Sequence, residues 1–229
     1  MKRHFHPKLR QIGGALLLLV FCFTSLFVFA PKAEAAVLGP HSSWAEDELY
    51  RAYDENLIPD RLYNVNLTRP ITRAEMASVL VKTYEAATGY PVQSDGIVPF
   101  VDTRDPEVIK AFGLGLIKGV GNNRFAPNDP LTREQAATMI DRTYKSIENI
   151  KKIRFKRQIT FNDDYMISNW AHGSVYFFAQ SGIIAGMGNN FFAPQAQTSR
   201  EQALLLALRL YDNYPYIASQ DFVTYIEFR

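Results

Sequence analysis

Apolar positions recur at helical spacing three times along this chain, each time behind the same polar phrase. The phrase is a hydroxyl residue, an arginine, one spacer and a Glu or Gln: Thr72-Arg73-Ala74-Glu75, Thr132-Arg133-Glu134-Gln135 and Ser199-Arg200-Glu201-Gln202. A hydroxyl oxygen can accept a first-turn backbone N–H, and the Glu or Gln can reach back to the cap's own N–H. This capping box predicts a helix start at each copy. The stripes that follow are Met76, Val79, Leu80, Tyr84; then Ala136, Met139, Ile140, Thr143, Tyr144, Ile147; then Ala203, Leu206, Leu210, Tyr211. Each helix has one face to bury and cannot bury it alone. Three such stripes facing one axis predict a three-helix core. A tyrosine stands eleven residues after each arginine, and Ile58, Ile117 and Ile184 stand fifteen or sixteen before it. Recurrence at several offsets means three copies of one structural unit, with the tyrosines at equivalent depths.

A shorter helix is predicted ahead of each long one. Ser43-Trp44-Ala45-Glu46 starts the first, Asp105-Pro106-Glu107 the second with Asp as cap and Pro at the first helical position, and Asn169-Trp170-Ala171 the third. The loops after the second and third read Gly119-Val120-Gly121-Asn122-Asn123-Arg124-Phe125-Ala126-Pro127 and Gly186-Met187-Gly188-Asn189-Asn190-Phe191-Phe192-Ala193-Pro194. Gly and Asn supply positive φ angles for tight turns there, and the Phe plugs the core. The first loop departs, with Asp60 and Leu62 where the glycines would stand and no Phe-Ala-Pro exit. The boundaries that follow are 38–92, 97–149 and 159–214 for the repeats, a basic linker at 150–158, and an aromatic tail at 215–229 that either forms a short strand or packs on the third repeat.

Residues 1–35 read as a secretory signal peptide: a basic start, an apolar run from Ile12 to Phe29, and Ala33-Glu34-Ala35 as cleavage site. Uncleaved, the run is long enough to anchor the chain in a membrane. Cys22 lies inside it, so the remaining 194 residues hold no cysteine and no disulfide. They carry 20 Lys and Arg against 22 Asp and Glu, which gives no global pull toward nucleic acid. Only His41 and His172 remain and make no metal constellation; no cofactor motif occurs. Neither does a Gly-x-Ser-x-Gly, Walker or His-Glu-x-x-His signature, so the chain is not expected to be an enzyme.

These motifs closely resemble the S-layer homology domain. The third repeat carries Phe161-Asn162-Asp163, Trp170-Ala171, Gly182-Ile183-Ile184-Ala185-Gly186, Phe192-Ala193-Pro194 and Ser199-Arg200-Glu201-Gln202. The second carries Phe100-Val101-Asp102, Leu116-Ile117-Lys118-Gly119, Phe125-Ala126-Pro127 and Thr132-Arg133-Glu134-Gln135. The first matches at Trp44-Ala45 and Ile71-Thr72-Arg73-Ala74-Glu75. The resemblance implies a mainly α fold of three helix-loop-helix repeats about a pseudo-threefold axis, with a central three-helix bundle. It implies a secreted protein held non-covalently on a Gram-positive cell wall. The partner would be a secondary wall polysaccharide, often pyruvylated, whose anionic ketal lies in grooves between repeats. The alternative is a structural surface-layer or assembly protein that binds other proteins and little sugar.

The candidate ligand residues are Arg73, Arg133 and Arg200, the loop glycines Gly119, Gly121, Gly186 and Gly188, and Trp44 and Trp170. An arginine in a helix's first turn opposes the helix dipole. Either it pairs with an acid of a neighbouring repeat, or it and the free helix N–H groups together hold an anion. The glycines would let backbone approach a ligand closely, whereas Asp60 would repel an anion. Binding is therefore expected to depend on repeats 2 and 3 more than on repeat 1. The tryptophans either stack on sugar or belong to the core.

Overall fold

The computed structural model describes residues 38–94 and 96–229; the expected signal peptide lies outside the described residues. A 3-10 turn at Ser43–Ala45 leads into α1 (Glu46–Asp54), and another at Asp60–Leu62 precedes α2 (Arg73–Thr88). Then come α3 (Pro106–Gly113), α4 (Arg133–Ile147), β1 (Ile150–Phe155), a turn at Asp164–Met166, α5 (His172–Gln180), α6 (Arg200–Ile217) and β2 (Val223–Phe228). All three capping boxes form with both reciprocal hydrogen bonds.

The long helices α2, α4 and α6 touch one another and bury Met76, Leu80, Ala136, Ile140, Ala203 and Leu210. Their N-terminal ends are tied by a closed ring of backbone hydrogen bonds. Ile71 N–H donates to Thr198 O at 2.9 Å, Thr198 N–H to Leu131 O at 2.9 Å, and Leu131 N–H to Ile71 O at 3.1 Å. Three equivalent residues, each donating to the next, define a pseudo-threefold axis.

The repeats interlock rather than stack. Each short helix packs on the long helix of the preceding repeat: α3 on α2, α5 on α4, and α1 on α6. Two buried glutamates fasten this arrangement. Glu134 on α4 accepts from Ser168 N–H and Oγ–H at 2.9 and 3.0 Å, and Glu201 on α6 accepts from Ser42 N–H and Oγ–H at 2.9 Å each. Repeat 1 has Ala74 at that position, and its contact with repeat 2 uses an Arg61–Asp105 ion pair at 2.7 Å.

The segment expected as a basic linker is strand β1. It pairs antiparallel with β2 from the aromatic tail, with Ile153 opposite Ile226 and Arg154 opposite Tyr225. The alternation Lys152-Ile153-Arg154-Phe155 is a half-buried strand pattern, overlooked because its polar members are all cations. The expected equivalence of the tyrosines also fails. Tyr144 is fully buried against Phe177 and Phe178, while Tyr84 and Tyr211 are partly exposed. The added ribbon lies against α4 and closes that side of the bundle.

Candidate functional site

Two of the cap arginines occupy the same local cage. Arg73 and Arg133 are each 9% exposed. Their Nε–H groups donate to Phe125 O at 2.7 Å and Phe192 O at 2.8 Å. Their Nη2 groups donate to Lys118 O at 2.9 Å and Ala185 O at 2.6 Å. Each guanidinium lies over the aromatic ring of the same loop, 4.6 Å from Phe125 and 4.9 Å from Phe192. Burial lowers both pKa values, opposed by Asp129 at Arg73 and by Asp163 at Arg133; guanidinium remains charged regardless. One planar face and one edge are thus committed to the protein, leaving Nη1 and the second Nη2 proton for a ligand.

The loop is shaped by its glycines, two through close packing and two through the expected positive φ. A Cβ on Gly119 would sit 2.7 Å from Arg124 O and 2.9 Å from Phe100 Cε1; on Gly186 it would sit 2.9 Å from Phe191 O. Both glycines let the loop fold back on itself, closed by Val120 N–H to Arg124 O and Met187 N–H to Phe191 O at 2.8 Å each. Gly121 and Gly188 have φ of 104° and 96°. The loop exit is pinned by a carboxylate. Asp102 accepts from Phe125 and Ala126 N–H, and Asp163 from Phe192 and Ala193 N–H, where Ala126 and Ala193 have φ of 59° and 57°. The Phe125 amide bond, chiefly, holds the Asp102 carboxyl below the usual range.

The helix N-termini are not open to an anion, contrary to expectation. Arg73 and Ala74 N–H donate to Asp129 O and Pro127 O of repeat 2. Arg133 and Glu134 N–H donate to Ala196 O and Pro194 O, and Arg200 and Glu201 N–H to Arg69 O and Leu67 O. The capping box takes the third amide of each helix. The N-terminal amides serve to join repeats.

Arg200 differs from its counterparts. It forms a bidentate ion pair with Glu75, Nη2 to Oε1 at 2.7 Å and Nε to Oε2 at 3.1 Å, and donates through Nη1 to Asn66 O. The pairing alternative holds here. Since each arginine reaches the loop of the following repeat, Arg73 serves the glycine loop of repeat 2 and Arg200 faces the divergent loop of repeat 1. The expected weakness of repeat 1 therefore falls on Arg200, not Arg73.

One groove of about 460 Å³ gathers residues from all three repeats. Trp44 comes from repeat 1 and Arg133 from repeat 2; Ile184 to Met187, Gln202, Leu205, Leu206 and Arg209 come from repeat 3. Trp44 is 59% exposed and Trp170 57%, so neither belongs to the core. Carried through the repeat correspondence, the residues of a second such groove would be Trp170, Arg73, Gly119 and Arg142, in the places of Trp44, Arg133, Gly186 and Arg209. The third equivalent is lined by Asp60, Arg61, Lys82, Glu85, Glu107 and Lys110, of mixed charge, without a tryptophan.

These grooves contain a second basic position that sequence reasoning missed. Lys82, Arg142 and Arg209 each stand nine residues after a cap arginine. The signal was present as a fixed offset, hidden among solvent-face charges. Arg209 is held bidentate by Glu48 at 2.9 and 2.7 Å. Arg142 makes no hydrogen bond or ion pair among the described residues, and its charge acts unfavourably on Arg73.

The S-layer homology domain profile matches residues 102–137 and 160–204. The chain therefore carries S-layer homology segments in repeats 2 and 3. The matched segments cover parts of repeats 2 and 3, and repeat 1 joins them through its capping box and its place in the axial hydrogen-bond ring. The chain is 27% identical over 236 residues, 96% of its length, to an endoglucanase of Bacillus sp. (strain KSM-635). It is 25% identical over 62% of its length to a surface layer protein of Brevibacillus choshinensis, and 27% over 63% to a cellulosome-anchoring protein of Acetivibrio thermocellus. It spans 24%, 12% and 33% of those proteins.

Proposed function

We propose that this S-layer homology protein anchors at the bacterial cell surface by holding an acidic, pyruvylated secondary wall polysaccharide in the grooves of Arg133 and Arg73. The observation that carries the reading is the 460 Å³ groove where an exposed Trp44, the buried Arg133 and Arg209 meet. An indole face suits the apolar face of a sugar ring, and a guanidinium whose far edge is already fixed loses little freedom on gripping a carboxylate. The protein acts as a non-catalytic anchor. The relatives with enzyme names fit this role, because the shared stretch is a minor part of each.

Sedimentation with purified wall sacculi tests the proposal. Co-sedimentation should occur with intact sacculi and vanish once the secondary polymer is stripped. Retention on stripped sacculi would favour assembly with other surface proteins.

A further inference from the structure

The β1–β2 ribbon is a basic pole on an acidic domain. Residues 36–229 hold 20 Lys and Arg against 22 Asp and Glu; segments 150–158 and 219–229 hold six against two, leaving fourteen against twenty elsewhere. The inner face is anchored: Ile150 and Phe222 are buried, and Phe155 and Phe222 pack on Phe177 with ring centroids at 5.3 and 5.9 Å. The outer face carries exposed Lys152, Arg154 and Lys156. Two neighbouring cations are compensated, Lys151 by Glu227 at 2.7 Å and Arg157 by Asp164 at 3.3 Å. Lys152, Arg154 and Lys156 have no ion pair among the described residues, and Arg154 lies over the Tyr225 ring at 5.4 Å. Lys152 and Arg154 are alternate residues of β1, about 7 Å apart on one face, and Lys156 follows just past the strand's end and the register shift at Arg154/Phe155, so the three exposed charges cluster along one edge of a ribbon anchored from beneath.

We infer that this ribbon is a separate binding surface for a linear polyanion with one phosphodiester charge per repeat. A single exposed lysine binds a small anion weakly. A row of them gains by linking weak contacts along one chain, which selects a polymer over a free anion. The cluster is exposed and polar, with no cavity around it among the described residues to enclose a compact partner, while a flexible charged chain can follow it. The surface is separate from the Arg133 and Asp60 grooves, because none of its residues lines them.

The experiment is a titration of the purified protein with synthetic poly(glycerol phosphate), repeated over a range of salt. The test variant is Lys152→Gln/Arg154→Gln/Lys156→Gln, and Arg104→Gln, an exposed cation outside the grooves and the ribbon, is the control. The triple variant should bind at least tenfold more weakly, with the slope of log affinity on log salt reduced by about 2 for three lost contacts. Arg104→Gln should match wild type. The charge-keeping Lys152→Arg/Lys156→Arg should retain binding, which separates lost charge from a disturbed ribbon. Unchanged affinity in the triple variant, or an equal loss in the control, would overturn the inference. Tighter binding to phosphatidylglycerol vesicles than to the polymer, lost in the triple variant, would overturn it in favour of a bilayer surface.

Discussion

The Arg133 groove and the Asp60 groove lie at corresponding places on one pseudo-symmetric frame, yet their charges have opposite fates. In the first, the loop folds tightly on Gly186, its carbonyls hold one edge of Arg133, and an exposed Trp44 forms the wall. In the second, no glycine loop exists. Arg200 turns away to Glu75, Arg61 pairs with Asp105 and Lys110 with Glu107. The helices are equally well capped in both cases. What differs is whether the loop offers carbonyls that orient a guanidinium without neutralising it, or the surroundings offer carboxylates that neutralise it. The Arg73 groove goes furthest toward an open charge, since Arg142 lacks the carboxylate that Arg209 finds in Glu48.

The comparison can be broken most severely at Arg133. Arg133→Ala leaves Phe192 O and Ala185 O without their donor and removes the cation from the Phe192 ring, so stability should fall by about 3 kcal/mol and sacculus binding should drop to what the Arg73 groove alone supports. Denaturant unfolding beside sedimentation checks both; a stable variant with full binding would mean that the cage is incidental. Arg142→Gln should weaken binding of an acidic wall fragment about tenfold, with little change in melting temperature, because the side chain loses no hydrogen bond or ion pair and the lost attraction of Asp141 is offset by relief of its repulsion of Arg73. Arg200→Lys should change binding less than threefold and cost up to about 1 kcal/mol of stability, since it loosens only a partly exposed ion pair. A loss of binding as large as that of Arg142→Gln would erase the asymmetry.

The smallest effect is at Glu48, and it runs in the other direction. Glu48→Gln frees Arg209 and should tighten the acidic fragment by less than about twofold, as measured by titration. It should also alter the acid limb of stability. The Arg209 hydrogen bond, opposed by burial, lowers the Glu48 pKa in the folded protein. The pair's contribution is therefore present above the ordinary glutamate pKa and lost as pH falls through the lowered folded value. Unfolding curves of the variant should lose that part of the acid decline.

Much of the frame was legible in sequence because capping boxes and apolar stripes are local signals. Thr72 with Glu75, Thr132 with Gln135 and Ser199 with Gln202 announced the three central helices and formed as read. Partner choice was not legible, because it depends on the handover between repeats. Arg73 looked tied to the divergent loop of its own repeat, but the interlock sends it to the next one. The same handover uses up the helix amides that appeared free. A strand was one of the two alternatives for the tail, but β1 and its pairing with β2 were missed, because the two lie far apart in sequence and residues 150–158 alone read as a charged linker.

The most direct measurement is a calorimetric titration of the wild-type protein with a soluble fragment of the secondary wall polymer, with and without its acidic substituent. We predict two binding sites per chain for the acidic fragment and none of comparable affinity for the neutral one. Three equal sites, or equal affinity for both fragments, would contradict the account.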